Sequence, residues 1–370
     1  MICVNDHMQY SVLKGFFRVS MKNKLSEKIR LVADATILLM RDEYENQQPD
    51  IHRWDWQPGV GLYGLIRAYE VIGEQRYLDY SQYYVNRLLD ADQVSYSING
   101  SILFEIVLKL FEHCRDERYQ TELRYFLRWL LRSAAKCQNG CFEHSWTETD
   151  VHLTEQVWID TLFMAGIVLA DSYRILGRED SREEVLRQFS AHQTCLQDGY
   201  TGLYRHLYDG HSNGHMAGVF WGRGNGWMAA SAVDVLDALG ASSSAYQTIV
   251  DSFQWQMKSV KQLQHSSGMF HTVLDDSNTY LEMSATAALG YASLKGVRLG
   301  LLDDDFRRVG ENAMQAVMEH VKPDGIVDSV SSGTSGFITY ENYNQIPIAP
   351  RLYGQALAIL ILTEQLRLIE

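Results

Sequence analysis

Proline and cysteine are both scarce in this chain, five of each among 370 residues. With so few prolines, no Ser/Gly-rich linker and no low-complexity tract, nothing marks an internal domain boundary, and residues 24–370 read as one domain. The cysteines (Cys3, Cys114, Cys137, Cys141, Cys195) are odd in number and dispersed, the usage of a reducing compartment rather than of a disulfide framework. Cys137 and Cys141 stand four apart without a second pair, which is not the spacing of a zinc site. Basic residues are also in deficit, 33 Lys and Arg against 46 Asp and Glu, for a formal net charge of −13. Without a Lys/Arg cluster there is no face for phosphates, so nucleic acid is not the expected partner. No run reaches the roughly 18 apolar residues of a membrane span, and the first twenty residues lack a signal-peptide core and cleavage site. No membrane partner is expected, and the cytoplasm is the default location. Residues 1–23 read as an N-terminal extension, disordered or not native, with Met21 a candidate natural start because the helical pattern begins only after it.

What is abundant is helical periodicity. Apolar residues recur every 3.6 positions in twelve blocks, at 24–44, 59–72, 76–90, 99–114, 117–134, 158–176, 179–196, 225–239, 244–262, 283–297, 303–320 and 351–368. The blocks pair up. Connections within a pair are short and polar ("VIGEQRY", "HCRDERY"), whereas those between pairs are often long and rich in Gly, His, Tyr and Trp: 137–157, 197–224, 263–281 and 321–350. Every second block opens on small residues ("GVGLYG", "NGSILF", "NGWMAASA", "SATAALG", "YGQALA"), and its partner is charged and amphipathic. Small apolar helices belong inside and charged ones outside. Six hairpins alternating inner and outer predict an all-α fold, an (α/α)6 barrel, with an open α-solenoid as the structural alternative. The long connections repeat a pattern of Gly, two apolar residues and a polar one, often His ("NGCFEHSW", "TGLYRHLYD", "SGMFHTVLDD", "DGIVDSV"), which reads as short extended segments lining one mouth.

Candidate chemistry gathers at that mouth, where inner-helix N-termini favour anions. Asp160, in "EQVWIDTLFMAG", is expected in the first turn of an inner helix beside Trp158. The stretch "VFWGRGNGW" (219–227) opens the next inner helix with Arg223, Asn225 and Trp227. Its three glycines cost helix stability, which suggests that they let the backbone and Arg223 approach a ligand closely. Trp54, Trp56, Trp158, Trp221 and Trp227 suggest sugar, whose ring faces stack on aromatics, and Arg223 offers a fork that matches a carboxylate. A small anionic oligosaccharide is therefore the expected ligand. His211 and His215 stand in a loop and read as polar lining, and "GRGNG" lacks the lysine of a phosphate loop, so neither a metal nor another cofactor is expected.

"RWDW" followed by "GV", "WIDTLFM", "GLYRHLYD", "FWGRGNGW", "LEMSATAALGYASLKGVRLG" and "YGQALAIL", in order from about residue 50 to 365, together resemble glycoside hydrolase family 105, the unsaturated rhamnogalacturonyl hydrolases. Family 88, the unsaturated glucuronyl hydrolases, is related to it. The resemblance implies removal of a 4,5-unsaturated uronic acid from lyase-generated oligosaccharides by hydration of its vinyl ether. It places the single acid at Asp160 and lines the sugar site with His206, Arg223 and Trp227. Where that family usually carries an acid ahead of the helix near residue 99, this chain has Asn99, which cannot ionise but still donates and accepts. The nearest acids are Asp92 and Glu105, the latter on the helix's polar side. Alternatives on the same barrel are an inverting glycosidase, which needs a second carboxylate about 6.5–9.5 Å away, an epimerase using His206 and His271, and a sugar-binding homologue impaired in turnover by Asn99.

Overall fold

The computed structural model describes residues 3–41, 48, 51–145, 153–216, 218–240, 246–336 and 339–369, with side chains from residue 18 onward. Twelve helices alternate in role along them. The outer ones are α1 (Cys3–Leu39), α3 (Gln75–Asp90), α5 (Glu117–Arg132), α7 (Glu179–Leu196), α9 (Gln247–Leu263) and α11 (Asp305–His320). The inner ones are α2 (Trp56–Ile72), α4 (Ser101–Cys114), α6 (Ile167–Leu176), α8 (Gly222–Leu239), α10 (Met283–Arg298) and α12 (Leu352–Ile369). Each inner helix packs on the next, α2 on α4, α4 on α6, α6 on α8, α8 on α10 and α10 on α12, and α12 returns to α2. That closure makes the (α/α)6 barrel and removes the open solenoid.

The sequence explains the layering. α12 is buried along almost its whole length, from Leu352 to Leu366, because "YGQALAILIL" has no charged face to turn outward. By length and composition α12 could cross a membrane, yet 83% of that window is buried inside the barrel. α5, in contrast, buries only one stripe, Tyr119, Leu123, Phe126, Leu127 and Leu130, the 3–4 spacing of an outer helix. α1 begins at Cys3 rather than at residue 24, so the expected extension continues the first helix, and Arg18 donates to the carbonyl of Ile369.

The long connections repeat one device. At the ends of α5, α7, α9 and α11 the chain makes a tight hairpin whose glycine has positive φ: Gly140 (85°), Gly202 (73°), Gly268 (83°) and Gly325 (88°). An L side chain is disfavoured there, which is why the motif recurs as "NG", "TG", "SG" and "DG". Each hairpin returns the chain to the mouth. Short strands continue from it: β1 (Gln156–Trp158), β2 (Leu207–Asp209) and β3 (Gly214–His215) form one antiparallel sheet, and β4 (Phe270–His271) pairs with β5 (Leu281–Glu282). The expected extended segments are present, except that Trp146, at the end of the first, lies outside the described residues.

The opposite end of the barrel carries charge instead of aromatics. A cavity of about 370 Å³ there is lined by Arg67, Glu70, Lys109, Asp171, Asp234 and Lys295 among others, from the C-terminal halves of inner helices, where cations complement the helix dipoles. Glu105 belongs to this network and not to a polar helix face. It is fully buried, 3.8 Å from Lys109 Nζ, and burial together with neighbouring Asp171 pushes its carboxyl well above the usual range.

Candidate active site

Asp160 stands between β1 and the third inner helix, just ahead of the helix rather than inside it. Its backbone carbonyl accepts from Phe163 and Met164 N–H, so the main chain starts the helix and the carboxylate is not used as a cap. The first turn, Leu162–Gly166, is π-helical, a widened turn that recurs at functional sites. The strand ladder brings in the second group. Trp158 pairs with Leu207, and Ile159 N–H donates to the His206 carbonyl at 3.0 Å. His206 Nε2 consequently lies 3.7 Å from Asp160 Oδ2, beyond hydrogen-bonding distance, and both atoms are buried without a hydrogen-bond partner.

Around this pair the aromatics form a continuous wall. Trp158 stacks on His144 at 4.6 Å and meets His206 edge-on at 5.2 Å. His206 leans on Trp221 at 4.4 Å, and the Arg223 guanidinium lies between Trp221 (4.6 Å) and Tyr353 (4.7 Å). Tyr353 in turn stacks on Trp56 at 5.1 Å and meets Trp227 at 6.5 Å. The indole N–H groups of Trp221 and Trp227 are also buried without partners. Unused donors and acceptors cost free energy when buried, and their concentration beside Asp160 marks a place where a polar ligand would satisfy them.

The electrostatics favour an ionised Asp160 in the free protein. Burial raises its carboxyl, but His206, His144 and Arg223 outweigh burial and hold it below the usual carboxylate range. Burial is also the main reason that His144 falls to about 4, so this ring is neutral at physiological pH. Among the described residues no group of three or more His, Cys, Asp or Glu is placed to hold a metal ion.

Several residues singled out in the sequence are committed elsewhere. The fork of Arg223 is occupied: Nη1 donates to the carbonyl and hydroxyl of Ser331, and Nη2 to Ser332 O at 2.9 Å and Thr334 Oγ1 at 2.8 Å. Its charge acts on the site and its Nη donors hold the segment after α11, while Nε is buried without a partner. Asn225 has nothing left for a ligand, because Oδ1 accepts from Tyr204 N–H and Gln256 and Nδ2 donates to the Tyr204 and Trp221 carbonyls. It ties the segment carrying His206 to α8. Trp54 packs on Phe104 at 4.7 Å, and Phe104 stacks on Phe126 of α5, which places Trp54 in the layer between inner and outer helices. Asn99 lies two residues before α4 and is buried, its N–H donating to the Ser145 carbonyl beside His144. His271 contacts the Thr279 carbonyl and the His265 ring instead of forming the His206 pair that an epimerase would need.

The glycines of "GRGNG" also serve the protein rather than a ligand. All three are helical; a Cβ on Gly222 would stand 2.6 Å from the His271 carbonyl, one on Gly224 2.6 Å from the Trp221 ring, and one on Gly226 2.7 Å from Ala288. They let α8 pack against β4, Trp221 and α10. Gly222→Ala is accordingly expected to cost about 1–3 kcal/mol in urea unfolding, as overpacking of a tight interior does; an unchanged midpoint would show that β4 yields freely.

What sequence reasoning missed is the part played by the described residues 331–336 and 339–345. Besides receiving Arg223, they lay Gly336 against Trp158, where a Cβ would be 3.1 Å from the indole, and they bring Tyr343 OH to 2.6 Å from His206 Nδ1. The only signal in the sequence was the length of the 321–350 connection.

The comparisons with known proteins agree with one another. The family model described as Glycosyl Hydrolase Family 88 matches residues 28–369. The unsaturated rhamnogalacturonyl hydrolase YesR of Bacillus subtilis strain 168 is 32% identical over 315 residues, 85% of this chain and 90% of that protein. Among solved structures, a possible member of the GH105 family from Salmonella enterica serovar Paratyphi A superposes with a TM-score of 0.87 at 28% identity, covering 94% of each chain. The unsaturated glucuronyl hydrolase of Bacillus sp. GL1 shares the fold, with a TM-score of 0.71 at 14% identity over 92% of this chain and 96% of that one. With a barrel of the predicted kind and these matches over nearly its full described length, the chain belongs to Glycosyl Hydrolase Family 88, alongside the family 105 proteins that its motifs resemble.

Proposed function

We propose that this glycoside hydrolase removes a 4,5-unsaturated uronic acid from the non-reducing end of lyase-generated oligosaccharides of the rhamnogalacturonan type. In this reading the protonated Asp160 carboxyl delivers its proton to C4, and positive charge develops at C5, where the ring oxygen stabilises it. Water adds at C5 and returns a proton to the Asp160 carboxylate. The resulting hemiketal opens and expels the aglycone, so one water is consumed and the acid is regenerated.

The observation that carries the proposal is the unpartnered pair Asp160 Oδ2 and His206 Nε2, 3.7 Å apart within the aromatic wall. An acid that works alone, first as donor and then as base, needs to be near neutral or cationic groups rather than a second carboxylate. Those acting most strongly on Asp160 are His206, His144 and Arg223, unlike the two-carboxylate arrangement of ordinary glycosidases. The rhamnogalacturonan preference rests on the name of the Bacillus subtilis relative. A cytoplasmic setting belongs to the same proposal, supported by the odd number and dispersed placement of the cysteines.

The test is ultraviolet absorbance of the conjugated enol acid on incubation with unsaturated rhamnogalacturonan, chondroitin and heparin disaccharides. Absorbance is expected to fall with the first at least tenfold faster than with the others. Faster loss with either of the others moves the substrate class, and no loss with any of them from folded protein overturns the reading.

A further inference from the structure

We infer that Tyr343 is a positioning residue for this site: its hydroxyl donates to His206 Nδ1 and so selects the imidazole tautomer that presents Nε2–H to Asp160. The inference rests on the proposed hydrolase reading for its consequence, though not for its geometry. Tyr343 is 1% exposed and lies in a short 3-10 helix, Glu341–Gln345, 137 residues from its partner. Its oxygen is 2.6 Å from His206 Nδ1, and the two rings meet edge to face at 5.6 Å. A neighbour anchors the helix: Asn344 Oδ1 accepts from Tyr280 N–H at 3.1 Å. Trp158 and Trp221 hold the imidazole on its other sides, so the ring cannot turn to exchange its nitrogens without breaking the wall.

The proton assignment follows from the partner on the far side. Nε2 faces an ionised carboxylate at 3.7 Å, and a bare nitrogen lone pair there would set two acceptors against each other. Nε2 therefore carries hydrogen. In the neutral ring Nδ1 is then an acceptor that requires a donor, and Tyr343 is the hydroxyl at hydrogen-bonding distance. A hydrogen bond to one ring nitrogen sets which nitrogen is protonated. With Tyr343 O–H on Nδ1, Nε2–H faces Asp160 across 3.7 Å without bonding to it, and so keeps a fixed direction toward a substrate oxygen or the added water. The charged and titratable groups facing Asp160 besides His206 are His144 and Arg223.

Two measurements test it. Nitrogen-15 NMR of the histidines in the full chain should show His206 in wild type with Nε2 protonated and Nδ1 bare, and in Tyr343→Phe a shift toward the opposite tautomer. Wild-type protein with Nδ1 protonated overturns the inference at once, without recourse to any variant. In disaccharide turnover Tyr343→Phe should lower kcat about tenfold with KM little changed, the low end of what tautomer-fixing partners carry in metal sites. It should also move the alkaline limb of kcat/KM to higher pH, because Asp160 loses part of the His206 support that depresses it. A variant with reduced kcat but an unchanged tautomer and pH profile would show packing alone and sink the positioning role. If wild type consumes no disaccharide while the tautomer still responds to Tyr343→Phe, the hydrolase reading falls and the positioning stands.

Discussion

Asp160→Asn is expected to abolish turnover while leaving the barrel folded and the sugar site occupied by substrate as before. Asparagine keeps the shape of the side chain and its carbonyl acceptor but can neither deliver a proton to C4 nor take one from water. General acid–base catalysis by one group contributes about 10²–10⁴-fold, and because the same carboxyl serves both proton transfers the loss should lie at the upper end. Disaccharide affinity, measured by calorimetry, should change little. The pH dependence gives a second readout. Asp160 is held below the usual carboxylate range in the free protein, so only a small fraction is protonated at neutral pH, and kcat/KM should fall as pH rises. A bound uronate places a like charge beside Asp160 and raises its pKa, so the alkaline limb of kcat should lie at higher pH than that of kcat/KM. Wild-type kcat in the variant would assign the proton to another group.

The layering was legible because its cause is local. Helices opening on "GVGLYG" or "SATAALG" have no charged face, and only an interior on all sides accommodates them; α5 and α11 announce an outward face just as plainly. Asp160 and its neighbour Trp158 were legible as residue types, but their setting was not, because the three residues of β1 become a strand only when Leu207–Asp209 lie alongside. The same holds more sharply for Tyr343, whose partner is 137 residues away. In "GRGNG" the sequence signalled close approach correctly and misassigned what approaches. A glycine facing a ligand and one facing a neighbouring helix have the same sequence signature, and so do an arginine gripping a carboxylate and one gripping the carbonyls of Ser331 and Ser332.

The second large effect concerns the far end of the barrel, where the sequence showed only scattered charges on inner helices. The side chains of Lys295 and Asp234 are both at most 2% exposed, with Lys295 Nζ 2.6 Å from Asp234 Oδ1. Tyr63 donates to Asp234 Oδ2 at 2.7 Å, and Tyr291 donates to Oδ1. Burial opposes ionisation of Asp234, yet Lys295 and Arg67 outweigh it and hold its carboxyl below the usual range. Lys295→Met removes the nearest cation and leaves the carboxylate without its main compensation, so urea unfolding at neutral pH should show a loss of about 3–5 kcal/mol. The sign of the pH effect follows from the depressed folded-state pKa. Asp234 contributes stability above its unfolded value, near 3.9, and that contribution disappears as pH falls through the folded value. The penalty of Lys295→Met should therefore be largest at neutral pH and shrink below about pH 4, because the wild type loses the ion pair there as well. Combining it with Asp234→Asn should recover part of the loss, since a neutral amide can still accept from a tyrosine and buried pairs replaced together cost less than one partner removed. A double variant less stable than Lys295→Met alone would mean that Asp234 is held chiefly by Tyr63, Tyr291 and Arg67, with the lysine serving Asp237, its other partner at 2.8 Å.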